Sequence, residues 1–202
     1  MSNHFQLPRL AFWLVLLITT LQSTGCITDN RVLVRSSSSS LADQPALTTA
    51  AFLDEGSGGA SIFLTDLSSE SLVAGTDVRS LTGRIVQIRM FLTPAAGSTP
   101  IGRAACTATV RHIVLVNGSI GVYGGAGFLW PKGKTTDQRF GGSMEGTPLR
   151  LTGSTPSFSD RLGACTFDCA FSAQRDESLA RRISGRLDDI LLLIGQSPAT
   201  PK

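Results

Sequence analysis

From residue 60 to about 175, apolar and polar side chains repeat with the two-residue period of β-strands. Ser61 to Thr65 is a first short apolar run. Arg84 to Leu92 puts Val86, Ile88, Met90 and Leu92 on one face and Gln87 and Arg89 on the other. Thr107 to Val116 is rich in β-branched residues, and Ile120 to Tyr123 returns after Asn117-Gly118. That dipeptide tolerates the two positive φ values of a type I′ turn, so it predicts a tight antiparallel hairpin. Further strands are expected near 138–145, 149–152 and 164–173. In the last, Cys165, Phe167, Cys169 and Phe171 alternate with Thr166, Asp168 and Ser172.

The period changes after Asp176-Glu177. Leu179, Ile183, Leu187, Ile190, Leu191 and Ile194 recur every three or four residues, which predicts an amphipathic helix over 177–194. Acidic residues at its start suit the helix dipole, and Gly195 and Pro198 stop it. The expected fold class is α+β and β-rich, an antiparallel sheet or sandwich with this helix packed on it. The face carrying Phe167 and Phe171 is the expected docking surface.

The N-terminus follows another pattern. Arg9 precedes nine apolar residues, Leu10 to Ile18, and then a small polar stretch from Thr19 to Gly25 ends at Cys26. A basic start, a short apolar core and small residues before a cut form the secretory-signal layout. Nine apolar residues fall well short of the roughly 20 needed to span a bilayer. Ser23-Thr24-Gly25-Cys26 resembles the lipobox of bacterial lipoproteins, departing from it in having Ser23 where that family usually has Leu. The resemblance covers residues 1–26 and implies that Cys26 is acylated and becomes the new N-terminus. Several acyl chains would then give stable membrane attachment. Ile27, where family members retained in the inner membrane often have Asp, favours an outer-membrane or periplasmic-face location. Ser23 and Gly25 also suit ordinary signal peptidase, which would release a soluble protein.

Composition adds the domain plan. Ser36 to Ser40 is an unbroken serine run, and Gly56-Ser57-Gly58-Gly59 is flexible by composition. The expected organisation is a signal peptide at 1–25, a lipidated Ser/Gly-rich tether at 26–59, one globular domain at 60–195 and a disordered tail at 196–202. The 202 residues carry a net charge of +3, with no clustering of basic residues that would suggest nucleic acid as a partner.

Motifs with chemical meaning are nearly matched and then broken. Gly127 to Thr135 has five residues between its glycines where a phosphate loop has four, and Pro131 has no N–H to donate. Gly141 to Gly146 misses the nucleophile-elbow spacing by one. His112, the one histidine after the signal, lies on an apolar strand face and is expected to be packed in the core. The glycine-dense stretch from Gly121 to Gly127 marks a close backbone approach, or a ligand-lining loop with Tyr123, Phe128 and Trp130 as stacking groups. On the helix, Glu177 pairs with Arg181, and Arg186 lies within reach of the acidic pair at 188–189, as on a solvated face.

Three cysteines remain after Cys26. Cys165 and Cys169, four apart on a strand, are about 13 Å apart and cannot pair with each other. Cys106 could bridge to either, or all three could be small buried thiols. No metal-ligand spacing and no cofactor motif is present. The expected function is a lipid-anchored cell-envelope protein with a non-catalytic binding or scaffolding domain, its partners the membrane and an envelope protein or glycan. The alternative is an exported, hydrolase-like enzyme.

Overall fold

The computed structural model describes residues 30–73, 75–95 and 106–195. The elements in chain order are β1 (Arg31–Ser36), β2 (Ala42–Asp43), β3 (Thr49–Gly56), β4 (Gly59–Thr65), β5 (Thr82–Met90), β6 (Ala108–Val116), β7 (Ser119–Gly127), β8 (Trp130–Lys132), β9 (Arg139–Ser154), β10 (Cys165–Arg175) and α1 (Glu177–Leu193). All ten strands belong to one sheet. Antiparallel neighbours run from β3 through β4, β5, β6 and β7 to β9. Strand β10 then closes the sheet. One of its edges pairs with β9, and the other pairs with β1 over Cys165–Ala170 and in parallel with Ala51 and Phe52 of β3.

The closed sheet has two apolar regions, one on each side of its wall. Inside are Phe52, Ile62, Ile88, Phe140, Met144, Phe167 and their neighbours. Outside, Phe63, Ile85, Ile113, Leu115, Ile120 and Val122 meet Ala180, Ile183, Leu187, Ile190 and Leu191 of α1. The predicted hairpin is the β6–β7 turn, with Val116 opposite Ser119 and positive φ at Asn117 and Gly118. Asp176 caps α1 by accepting from the Leu179 N–H at 2.9 Å.

Three expectations are corrected here. First, α1 does not lie on the face carrying Phe167 and Phe171, because both side chains point into the closed interior. A closed sheet of few strands fills its interior with side chains and has no room there for a helix about 10 Å across.

Second, residues 30–59 are part of the folded domain rather than a tether. The serine run is the β1–β2 turn, where Ser36 Oγ accepts from the Ser38 N–H and Ser39 Oγ from the Leu41 N–H, both at 3.3 Å. Short hydroxyl side chains stabilise turns as readily as they populate linkers. Gly56, Ser57 and Gly58 likewise take positive φ and turn β3 into β4.

Third, Arg186 is not on a solvated face. It is 3% exposed, donating to the Thr76 carbonyl at 2.9 Å and to the Val73 carbonyl, so it pins the segment after β4 against the helix. The Glu177–Arg181 pair is at the surface as expected, at 3.7 Å.

Candidate ligand groove

Two polar side chains point into the interior from the β6–β7 hairpin. His112 and Tyr123 are register partners with ring centroids 6.3 Å apart. His112 is 0% exposed, and its Nε2 lies 3.3 Å from the Asp43 carboxylate, which also accepts from Arg84 Nε at 2.9 Å. The Tyr123 hydroxyl donates to Asp160 at 2.6 Å. Asp43 comes from β2 and Asp160 from the β9–β10 connection, so each contact fastens a peripheral segment onto the closed sheet. Phe158 of that connection packs edge-on against Tyr123 and occupies the space that a side chain at Gly121 would need.

These latches leave an electrostatic signature. The hydrogen bond from His112, with that from Arg84, outweighs burial and holds the Asp43 carboxyl down at about 2, against an ordinary 3.8. A carboxyl with a depressed folded-state pKa contributes stability that is fully present above 3.8 and is lost as pH falls towards 2. The shift corresponds to about 2 kcal/mol. The denaturation midpoint of the protein should therefore drop across that acid window, and Asp43→Asn should flatten the drop while lowering stability at neutral pH. An unchanged acid profile for the variant would count against the latch.

The expected site residues do not converge. Tyr123 does not join Phe128 and Trp130 in a ligand-lining loop but faces the interior, because β7 continues as a strand through Gly127. Burial, and then its bond to Asp160, raise the Tyr123 pKa. Phe128 and Trp130 do pair, with ring centroids 4.6 Å apart. Cys106, Cys165 and Cys169 are free thiols. Burial pushes Cys165 up to about 11 and Cys169 to about 12, so neither is a thiolate at neutral pH. Cys26 lies outside the described residues.

The concave feature of chemical interest lies on the outer wall, beside α1. The helix covers only part of the β3–β7 face. Beyond its edge, the register aligns Phe63, Gln87, Arg111, Gly124 and Arg150 in one row across β4, β5, β6, β7 and β9. Arg89, Thr109 and Ala126 form the next row. The result is a groove of about 920 Å³, walled on one side by Ser184, Leu187 and Asp188 of α1.

The small residues of β7 make the hollow. Gly124 has no side chain of its own, and Thr152 of β9 leans over its backbone between the arginines of β6 and β9, whose strands are two spacings of about 4.8 Å apart. Arg111 is half-buried and donates to Gln87 Oε1 at 3.3 Å. Burial lowers its pKa, opposed by the charge of Asp188. Arg89 is paired with Glu55 at 3.1 Å, whereas Arg150 is exposed and has no ion-pair partner among the described residues. Guanidinium groups in this arrangement present planar forks to an anion.

No motif in the sequence marks these arginines, and two weaker signals accompany them. The glycine stretch marked a close backbone approach, and Gln87 and Arg89 on an outward strand face marked a polar wall. The chain matches no family model, no curated protein and no solved structure.

Proposed function

We propose that this chain is an exported bacterial envelope lipoprotein, anchored through Cys26 at the outer membrane or its periplasmic face, whose β-rich domain binds an anionic glycan without catalysis. The observation that carries the binding assignment is the pair Arg111 and Arg150 flanking Gly124 in one row of the sheet. A volume of about 920 Å³ suits a ligand of a few sugar units, whereas protein partners usually require a flatter and larger surface. The exposed ring of Phe91 at the groove's edge offers an apolar platform for a sugar face. The lipobox-like residues before Cys26 support export and anchoring.

One experiment tests both parts. The native protein should remain with membranes after a high-salt wash, and Cys26→Ala should release it. The released protein should bind oligogalacturonate, a carboxylated sugar chain, more tightly than a neutral oligosaccharide, with an affinity that falls as salt rises. Arg150→Glu should weaken that binding about tenfold or more, the size expected for losing a charged hydrogen bond. Equal binding of the carboxylated and neutral chains would dismiss the anionic specificity, and Cys26→Ala protein that stays with the membrane would dismiss the anchor.

A further inference from the structure

We propose that the wall formed by β1, β10, β9 and β8 is seated on the lipid headgroup layer of the membrane, with Trp130 entering the interface. The inference rests on the reading of Cys26 as the acylated residue. Only three residues separate Cys26 from Asn30, the first described residue. The four Cα–Cα steps from Cys26 to Asn30 span at most about 14 Å when fully extended. Asn30 is itself tied to the sheet, its side-chain oxygen accepting from the Ser172 N–H at 3.1 Å. An acylated Cys26 therefore brings the start of β1 to within that distance of the lipid, and some face of the domain must meet the headgroups.

The register identifies which face. Arg31 is paired with Ala170, Ala170 with Ser143 and Ser143 with Trp130. Cross-strand partners project to the same side of a sheet, so Arg31 and Trp130 share the outer surface, three strand spacings or about 14 Å apart. The residues between them, Ala170 and Ser143, are small and line a hollow of about 400 Å³ together with Arg31, Arg35 and Asp168.

Trp130 is 46% exposed and backed by the Phe128 ring. An amphipathic indole half out of the protein is the side chain that concentrates at membrane–water interfaces. The charges agree with this placement. Asp168, the carboxylate nearest the middle of the wall, is taken up by Arg35 and by the Gly146 N–H. Glu145 is exposed, while Arg31 and Lys132 have no carboxylate partner among the described residues. Cations beside an exposed indole suit an anionic headgroup layer. In the closed sheet the groove residues Gln87 and Arg111 of β5 and β6 lie across from β10, and Arg150 lies on β9 beyond the stretch that pairs with β8.

The processed protein carries its own probe. Of the two tryptophans, Trp13 lies in the signal segment, which leaves Trp130 as the lone fluorophore after cleavage at Cys26. The full processed protein, extracted with detergent and weighed intact, is reconstituted into phosphatidylcholine–phosphatidylglycerol vesicles whose acyl chains are brominated near the headgroup. The expected result is a blue-shifted Trp130 emission that loses intensity to the bromines. The double substitution Arg31→Glu with Lys132→Glu should restore water-like, unquenched emission at an unchanged melting temperature. Acylated protein whose Trp130 emission is water-like and unquenched in the vesicles overturns the seat alone. A mass without the acyl increment overturns the anchoring reading, and the seat with it.

Discussion

Replacing Leu187 with Ala should lower the melting temperature of the protein by about 10 °C. The side chain is 1% exposed and sits among the residues that join α1 to the outside of the sheet. Truncating such a leucine costs about 2–5 kcal/mol through lost transfer energy and the cavity left behind. Each kcal/mol is worth about 2–4 °C in a domain of this size. Leu192 lies on the same helix but is 64% exposed, so Leu192→Ala should leave the melting temperature nearly unchanged. The comparison is made by thermal denaturation followed by circular dichroism. If Leu187→Ala melts like the native protein but no longer captures a partner, α1 is an interaction element and not part of the folding unit.

Gly125→Ala should destabilise the protein by about 3 kcal/mol, near the upper end of the usual cost of overpacking. A methyl group at this position would overlap the carbonyl oxygen of Pro148 on the neighbouring strand. That oxygen belongs to the backbone, so relief requires moving β9 against β7 rather than turning a side chain. Because Gly125 also lines the groove, the same movement should weaken ligand binding. Gly185 is the matched control. A Cβ there meets nothing within 4 Å, and the position is inside α1. Gly185→Ala should therefore stabilise the protein by about 1 kcal/mol, the helix propensity difference. Opposite signs for the two glycine-to-alanine changes in a urea titration would confirm that contact, and not residue type, decides. Loss of stability in both would contradict the packing described for α1.

The strands and the helix were legible because they depend on local periodicity and turn chemistry. Asn117-Gly118 identified the β6–β7 turn, and the stripe from Leu179 to Ile194 identified α1 almost to the residue. Strict alternation in β10, with Thr166, Asp168 and Ser172 opposite the Cys and Phe positions, also marked a strand with one wet face. That alternation is equally compatible with a helix on the apolar face and with a closed interior, and only the closure of the sheet puts Phe167 and Phe171 inside. The surface the helix uses belongs to strands whose apolar runs are continuous, such as Ile62-Phe63-Leu64 and Ile113-Val114-Leu115, where both faces are buried. Continuous runs carry no phase, so the sequence alone could not say which residue of each run faced inward.

What the sequence by itself determined is therefore the inventory: a β-rich chain, one tight hairpin and one C-terminal helix. These depend on spacing along the chain, which is visible in one dimension. Tertiary structure alone decided the closure of β10 onto β3, the inclusion of residues 30–59 in the sheet and the meeting of Arg111 with Arg150 across Gly124. Ser- and Gly-rich segments satisfy a turn as well as a linker, and only a partner strand distinguishes the two. The arginines are 39 positions apart in the chain and become neighbours through strand register, a relation between distant segments that no local pattern encodes.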